Sequence, residues 1–323
     1  MSVVRIALAA GFALALALAG PATAAEERYG FVVTLGRDTT GVERVTRSAA
    51  RLEVEQVTRA PRVLERRYVY QLDGKGSIRD FSIVVTSPDA APGAPAVQSI
   101  DGKRTRDSVI TEIRSGANVR MMRVAVPDDG VLISASSPFP TYEQALMGFA
   151  KAKRPRLKAT MYFLGAGNSD WISFERLGRD SMSVLTYHED EFRMRVDGDG
   201  RVLGVRPISG TGKYAASRVA NLDLEGITAA WVAAEKASGA MGPLSVRDTV
   251  KASAGGAALW VDYGRPARRG RAVFGGVVPF GQVWRTGANA ATQFRTDRAL
   301  EFGTAVLPAG TYTLWTIPSA DGW

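Results

Sequence analysis

The chain has 323 residues, a formal net charge of +9 and no cysteine. Without a thiol, the protein cannot form disulfides, carry a cysteine nucleophile or hold a cysteine-ligated zinc ion. The length allows two domains of ordinary size, and the arginines are interleaved with Asp and Glu instead of forming one basic patch, so the charge does not favour a nucleic-acid partner.

Residues 1–24 have the features of a cleaved signal peptide. Arg5 precedes an apolar run from Ile6 to Ala19, which is followed by the breaker pair Gly20-Pro21 and the small-residue site Ala22-Thr23-Ala24. The run is shorter than the ~20 residues that a membrane-spanning helix needs. We therefore expect cleavage, no transmembrane segment in the mature chain, and export to the periplasm or the extracellular space.

Residues 25–237 are predicted to form a β-rich N-terminal domain. From Tyr29 to Leu35, apolar and other residues alternate with period two, which is the pattern of a half-buried strand. Similar runs recur at short intervals and are joined by Asp-Gly pairs, which indicates antiparallel neighbours. The Asp-Gly turns are predicted at Asp73-Gly74, Asp101-Gly102 and Asp129-Gly130. The expected fold is an antiparallel curved sheet or partial barrel.

Two segments interrupt this rhythm with helical spacing. Thr141 to Lys153 has apolar residues on one side, and Thr141 with Gln144 fits a capping box. A helix placed after a run of strands would most simply cover the open side of the curved sheet. Asn221 to Ala237 predicts a second helix, which Gly239 would end.

Residues 238–247 are rich in small residues and are predicted to be a linker. Short strands then recur over residues 248–323, in the pattern of a β-sandwich. Because this region holds few strands for two facing sheets, we expect an incomplete C-terminal β-sandwich domain and a chain that continues in a longer protein.

The C-terminal region resembles a known bacterial family, domain of unknown function 2911. The resemblance covers roughly Pro243 to Trp323, and the family's pattern continues beyond that point, which favours a truncated domain. It implies an exported β-rich protein with no established reaction. The motifs that carry it are Tyr263-Gly-Arg-Pro266, Gly270-Arg271, Phe274-Gly275, Val283-Trp284-Arg285, Gly287-Ala288-Asn289, Thr292 and Leu307-Pro-Ala-Gly-Thr-Tyr312.

The segment from Trp284 to Asn289 is the first candidate for a ligand site. Arg285 offers a fork of donors for a carboxylate or phosphate, Asn289 offers a donor and an acceptor, and Trp284 offers a flat apolar wall. Arg271 and other arginines of the preceding loop could converge on the same anion. Alternatively, the tryptophan fills the domain interior, Arg285 ties down loop carbonyls, and Asn289 occupies a turn with positive φ.

The second candidate is the run from Tyr187 to Glu191, which contains the chain's single histidine, His188, beside three carboxylates. Imidazole and oxygen ligands suit a metal ion or an acid-base pair, as in a hydrolase. Against this, adjacent strand residues point to opposite faces, and charged residues between two strands commonly form a hairpin turn.

Taken together, the sequence favours a non-catalytic binding or structural protein of the cell envelope. Its ligand would be a small anion or a sugar, bound by Arg271, Trp284, Arg285 and Asn289. No catalytic residue, metal ligand or cofactor is assigned, and the alternative is a hydrolase or metal-dependent enzyme that uses His188.

Overall fold

The computed structural model describes residues 26–134, 138–152, 154–187, 190–209, 213–268 and 272–322. The signal-peptide prediction lies outside these ranges. Within them the protein is mainly β, as the sequence predicts, with two helices, α1 (Pro140–Lys151) and α2 (Leu224–Ser238). The strands are β1 (Glu27–Leu35), β2 (Asp38–Arg47), β3 (Arg51–Thr58), β4 (Leu64–Leu72), β5 (Ile78–Thr86), β6 (Gln98–Arg104), β7 (Ser108–Ser115), β8 (Asn118–Ala125), β9 (Val131–Ile133), β10 (Arg156–Phe163), β11 (Ser169–Arg176), β12 (Ser181–Thr186), β13 (Glu191–Val196), β14 (Val202–Pro207), β15 (Tyr214–Val219), β16 (Ser245–Ala254), β17 (Ala257–Pro266), β18 (Thr292–Thr296), β19 (Leu300–Phe302), β20 (Ala305–Leu307) and β21 (Gly310–Leu314).

Fifteen strands form one large sheet in the order β8-β7-β6-β5-β4-β3-β2-β1-β15-β14-β13-β12-β11-β10-β9. Neighbours pair antiparallel, except that β9 runs parallel to β10. The first strand therefore lies in the middle of the sheet, between β2 and β15. This arrangement confirms the predicted curved antiparallel sheet and adds that its two halves meet at β1.

The sheet curls until strands near its two ends touch through their side chains. The hydroxyl of Tyr162 on β10 lies 2.8 Å from Oγ1 of Thr111 on β7, and both groups are buried. These strands are separated by eleven others in the sheet order. The outermost strands, β8 and β9, are not hydrogen-bonded to each other, so the sheet is curled but unclosed.

Helix α1 fills part of the concave side, as predicted. Leu146 and Phe149 are buried there, and the Phe149 ring lies 6.1 Å from that of Phe174 on β11. The strands present alternate apolar residues to the helix because side chains of a strand point to opposite faces in turn. On β1 these inward residues are Tyr29, Phe31 and Val33, each at most 5% exposed.

The predicted capping box at Thr141 and Gln144 is wrong. The helix begins one residue earlier, at Pro140, and its N-cap Phe139 makes no side-chain cap. Thr141 is therefore inside the first turn, where its hydroxyl accepts a hydrogen bond from the Ser134 amide at 3.1 Å. Gln144 instead donates to the carbonyl of Gly76, in the loop between β4 and β5, at 2.6 Å.

Helix α2 packs on the opposite, convex face. Its N-cap Asp223 accepts from the Gly226 amide at 2.9 Å, the side-chain cap that favours a helix start. Leu224 forms a small apolar cluster with Val42, Val57 and Val63, which point away from α1. The two helices therefore cover opposite faces of the same strands.

Five strands of the structure, β6, β9, β11, β15 and β18, have no counterpart in the sequence prediction. The Asp101-Gly102 turn is wrong, because both residues lie inside β6. A Cβ on Gly102 would stand 2.0 Å from the Phe81 ring, so the glycine makes room for an inward aromatic residue instead of a reversal. In a strand, a glycine can mark such a close approach.

The C-terminal region forms a small antiparallel sheet in the order β16-β17-β18-β21 and a separate hairpin, β19 with β20. Its first strand begins at Ser245, within the segment predicted as linker. Several large apolar side chains of this region are exposed, among them Val306 at 63% and Ile317 at 58%. In the described part of the chain, no helix is both long and apolar enough to span a membrane.

Candidate functional site

The largest described cavity lies where the small sheet meets the large one. Its volume is about 810 Å³, and it is open to solvent. One wall comes from the large sheet and its loops, through Leu35, Pro61 and Tyr214. The opposite wall comes from the C-terminal region, namely the end of β17 and the loop between β17 and β18.

Three of the four residues predicted to bind a ligand line this cavity together. They are Trp284, Arg285 and Asn289. The fourth, Arg271, lies outside the described residues. The sequence thus predicts neighbours along one loop, and the structure adds that these three residues line one concave surface.

Two glycines, which lack a side chain, allow this loop to lie close to β17. A Cβ on Gly264 would stand 2.2 Å from the Ala288 carbonyl oxygen, and one on Gly287 would stand 2.9 Å from Oγ1 of Thr292. Neither position has room for a side chain, so both glycines permit the close approach of two chain segments. The close approach of these segments therefore gives a steric reason for glycine at both positions.

The loop also contains two residues in the left-handed region, Thr286 with φ of 56° and Asn289 with φ of 62°. Asparagine tolerates this conformation, and the positive φ at Asn289 agrees with the structural alternative to ligand binding, in which this residue occupies a turn. A β-branched residue such as threonine is rarely found there. Thr286 is held by two contacts, because its carbonyl accepts from Thr292 Oγ1 at 2.7 Å and its hydroxyl lies 3.0 Å from Thr316 Oγ1.

Trp284 connects the loop to the segment of the same chain that contains Thr316. Its amide donates to the Thr316 carbonyl at 2.7 Å, and its carbonyl accepts from the Thr316 amide at 2.8 Å. The indole meets the Phe274 ring edge-on, with ring centroids 6.3 Å apart. The side chain is half-buried at the cavity wall, so it can offer a flat surface to a ligand.

One interpretation of Arg285 was that it donates hydrogen bonds to loop carbonyls. In the structure, Arg247 on β16 does so instead. Its guanidinium donates to the carbonyl oxygens of Ala290 at 3.2 Å and Ala291 at 3.1 Å. Arg285 has no such contact among the described residues, and its Nε is buried without a hydrogen-bond partner there. A buried donor without a partner is costly, and a ligand oxygen at this guanidinium would remove that cost.

Two further arginines reach the same cavity. Arg265 lies at the end of β17 and pairs with Asp248 at 3.3 Å, and Arg268 follows it in the loop. Among the described lining residues, Asp190 is the carboxylate that opposes these arginines. Three arginines outnumber the two carboxylates Asp190 and Asp248 at the cavity, and this excess of positive charge favours an anionic ligand.

The second predicted site is not assembled by the described residues. His188 and Glu189 lie outside them, and Asp190 lines the cavity just described. Glu191 on β13 accepts a hydrogen bond from Ser183 Oγ on the neighbouring strand β12 at 2.8 Å. The flanking strands β12 and β13 pair antiparallel, so the run connects a hairpin. The described residues contain no group of three metal-ligating side chains.

The interior of the large sheet holds charged residues that the sequence analysis did not single out. Glu143 on α1 is fully buried and accepts from Arg47 at 2.8 Å, Arg218 at 2.7 Å and the Val202 amide at 2.8 Å. The Tyr29 hydroxyl also donates to it. The available signal was a set of charged residues at inward positions of otherwise apolar alternating strands.

A second buried carboxyl, Glu43 on β2, has neutral partners. It accepts from the Phe139 amide at 3.1 Å and from Gln56 Nε2 at 3.2 Å. Burial raises the pKa of the Glu43 carboxyl to about 8 from its ordinary 4.5, against the lowering effect of these two hydrogen bonds. The carboxyl is therefore mainly protonated at neutral pH.

Fold and cavity together define a mainly β protein with an arginine-lined cleft beside a curled sheet. Residues 245–323 match the model of the DUF2911 family, described as a protein of unknown function, in agreement with the resemblance seen in the sequence.

Two solved structures share similarity with larger parts of the chain. A DUF1089 family protein from Pseudomonas aeruginosa is 12% identical, with a TM-score of 0.37, over 52% of this chain and 90% of that one. A β-barrel-like protein of the domain of unknown function DUF1849 from Brucella abortus is 11% identical, with a TM-score of 0.38, over 60% of this chain and 94% of that one. No curated protein matches the chain.

Proposed function

We propose that this protein binds a small anionic or sugar ligand in the cleft formed by Trp284, Arg285 and Asn289, and that it does so without catalysis. The observation that carries the proposal is the buried, unpartnered Nε of Arg285 on a cavity that Arg265 and Arg268 also line. A guanidinium binds a carboxylate or phosphate through parallel hydrogen bonds, and an indole packs against the apolar face of a sugar ring. A sugar acid satisfies both features.

The proposal includes export to the periplasm or the extracellular space, for which residues 1–24 are the support. Mass spectrometry of the secreted or periplasmic protein would find an N-terminus near Ala25. Recovery of the uncleaved chain from the cytoplasm alone would contradict this part. No nucleic-acid partner is included. The hydrolase alternative around His188 has no described geometry in its favour and stays a prediction.

The binding proposal is tested by calorimetry with N-acetylneuraminic acid, a monosaccharide that carries one carboxylate. Arg285→Ala is expected to weaken binding by about tenfold to a hundredfold, since a hydrogen bond to a charged group contributes about 1.5–3 kcal/mol. Arg298→Ala is the matched control, because Arg298 is an exposed arginine of the same region that does not line the cleft.

Equal loss of affinity in both variants would indicate a general effect of charge and would contradict a specific site. A screen of sugar acids, sugar phosphates and inorganic phosphate in which none binds the unmodified protein would overturn the proposal.

A further inference from the structure

A second cavity lies inside the curled sheet. Its volume is about 370 Å³, and it occupies the part of the concave face that α1 leaves uncovered. Cross-strand pairing places its walls on one face, because Val33 pairs with Gly41, Tyr68 with Ile83, and Ile83 with Ile100. The cavity is therefore a continuation of the same inner surface that packs against the helix.

The two cavities adjoin. Ala60, Tyr214 and Leu244 line both of them. Tyr214 begins β15, and Leu244 stands directly before β16, so the shared wall lies where the two sheets meet. A ligand whose charged end lies at Arg285 would therefore have space to extend past these three residues into the sheet interior.

The chemistry of the inner cavity differs from that of the outer one. Hydroxyl and amide groups supply most of its polar lining, from residues such as Thr40, Gln56 and Ser134, all buried. Arg66, the cationic residue among the described lining residues, already donates to Thr58 Oγ1 at 2.6 Å. Aliphatic side chains alternate with these groups. A hydroxyl group has one donor and two acceptor lone pairs and can therefore take a further hydrogen bond, so uncharged polar groups beside apolar surface suit a hydroxylated, uncharged ligand segment.

We propose that the outer and inner cavities form one binding tract for an elongated saccharide with a single anionic end. The carboxylate binds at Arg285, and the uncharged sugar units extend past Tyr214 and Leu244 into the sheet. This inference rests on the proposed function, because it takes the Arg285 cleft as the anionic end of the tract. It adds a length and a polarity to the ligand.

The test compares three probes on the unmodified protein by calorimetry. The first probe is N-acetylneuraminic acid. The second is 3′-sialyllactose, in which the same acid is joined to the neutral disaccharide lactose, and the third is lactose alone. If the tract is continuous, the affinity for the trisaccharide is at least about tenfold higher than that for the monosaccharide. The reason is that one or two net hydrogen bonds are added in the inner cavity. Lactose, which lacks the anion, binds more weakly than either acid.

A substitution at the shared wall tests the route. Leu244→Trp narrows the passage, and the ratio of the two affinities should fall towards one. Val246→Trp is the matched control, since Val246 is 41% exposed and lines neither cavity, and it should keep the unmodified ratio. The ratio in the unmodified protein remains decisive if the Leu244 variant does not fold.

The outcomes separate this inference from the proposed function. Equal affinities for the monosaccharide and the trisaccharide would overturn the tract and leave the Arg285 site intact. A preserved ratio in a folded Leu244→Trp protein would also overturn it. Tight binding of lactose alone would contradict the anionic anchor, and binding of no probe would contradict both proposals.

Discussion

The Glu43 carboxyl shows how a single buried residue can link stability to pH. In the folded chain its pKa is about 8, whereas an exposed glutamate has 4.5. Between these values the folded state holds the proton more firmly than the unfolded state. The associated stability is therefore fully present below about pH 4.5 and is lost progressively as the pH rises to about 8.

The prediction at this scale concerns Glu43→Gln, which keeps the shape and the neutral charge of the protonated carboxyl. In the unmodified protein, the free energy of unfolding should fall by about 1 kcal/mol for each unit by which the pH rises between the ordinary and the raised pKa of Glu43. Urea unfolding at a series of pH values measures the slope. The variant should lose this contribution, and an unchanged slope would contradict the buried neutral carboxyl.

Glu43 also shows what could be read from the sequence at residue scale. Alternation along β2 places Glu43, Val45 and Arg47 on one face, but the pattern does not state which face is buried. That depends on α1, whose start at Phe139 supplies the partner amide from far along the chain. The Trp284 to Asn289 segment was easier to find, because its Trp-Arg pair, Gly287 and Asn289 lie close together in the sequence.

At the scale of elements, strands with large apolar residues on alternate positions were predictable, and strands with small or polar inward residues were not. The inward positions of β6 include Gly102, and β15 is rich in alanine. Such strands are held by their neighbours instead of by their own apolar side chains. β11 is a different case, since Ile172 and Phe174 carry a regular signal that the sequence prediction passed over.

The loop between β17 and β18 yields the prediction for this scale. Gly264→Ala would place a methyl group 2.2 Å from the Ala288 carbonyl oxygen, so the loop must move away from β17. Overpacking of this kind costs about 1–3 kcal/mol locally. We expect N-acetylneuraminic acid to bind at least about tenfold more weakly, because Trp284 and Arg285 move with the loop.

Calorimetry and thermal unfolding on the same sample separate this local effect from global unfolding. Gly178→Ala is the control, because a Cβ there would meet nothing within 4 Å. Both variants should keep the unfolding transition of the large sheet. Unchanged binding in Gly264→Ala would show that the loop position does not determine affinity.

At the scale of the whole molecule, Glu143 joins parts of the sheet that are distant in sequence. It brings Arg47 of β2 and Arg218 of β15 to the same carboxylate on α1. Removal of one partner from a buried charged cluster leaves the others without compensation. The Glu143 carboxylate thus binds α1 to two strands of the curled sheet.

Glu143→Gln should therefore lower the free energy of unfolding by about 3–5 kcal/mol. Denaturant unfolding measures the change. Glu225→Gln is the control, since Glu225 pairs with Arg44 at an exposed position on α2, and its unfolding midpoint should stay almost unchanged. A similar small effect in both variants would contradict a structural role for the buried cluster.

The proposed tract depends on this whole-molecule arrangement, and the sequence could not have predicted it. Leu35, Ala60, Tyr214 and Leu244 come from four separate segments that meet only after the sheet has curled. Periodicity along the chain reports which side of a strand is apolar. It carries no information on which distant strands approach each other, so the site loop was predictable and the cavity around it was not.

The position of β1 at the middle of the large sheet sets an order on chain assembly. This strand is synthesised before its neighbours β2 and β15, and β2 can pair with one of its edges soon afterwards. Its other edge must wait for β15, which ends at Val219. Until nearly two hundred further residues have been made, that edge presents unpaired amides and carbonyls to any strand in the cell.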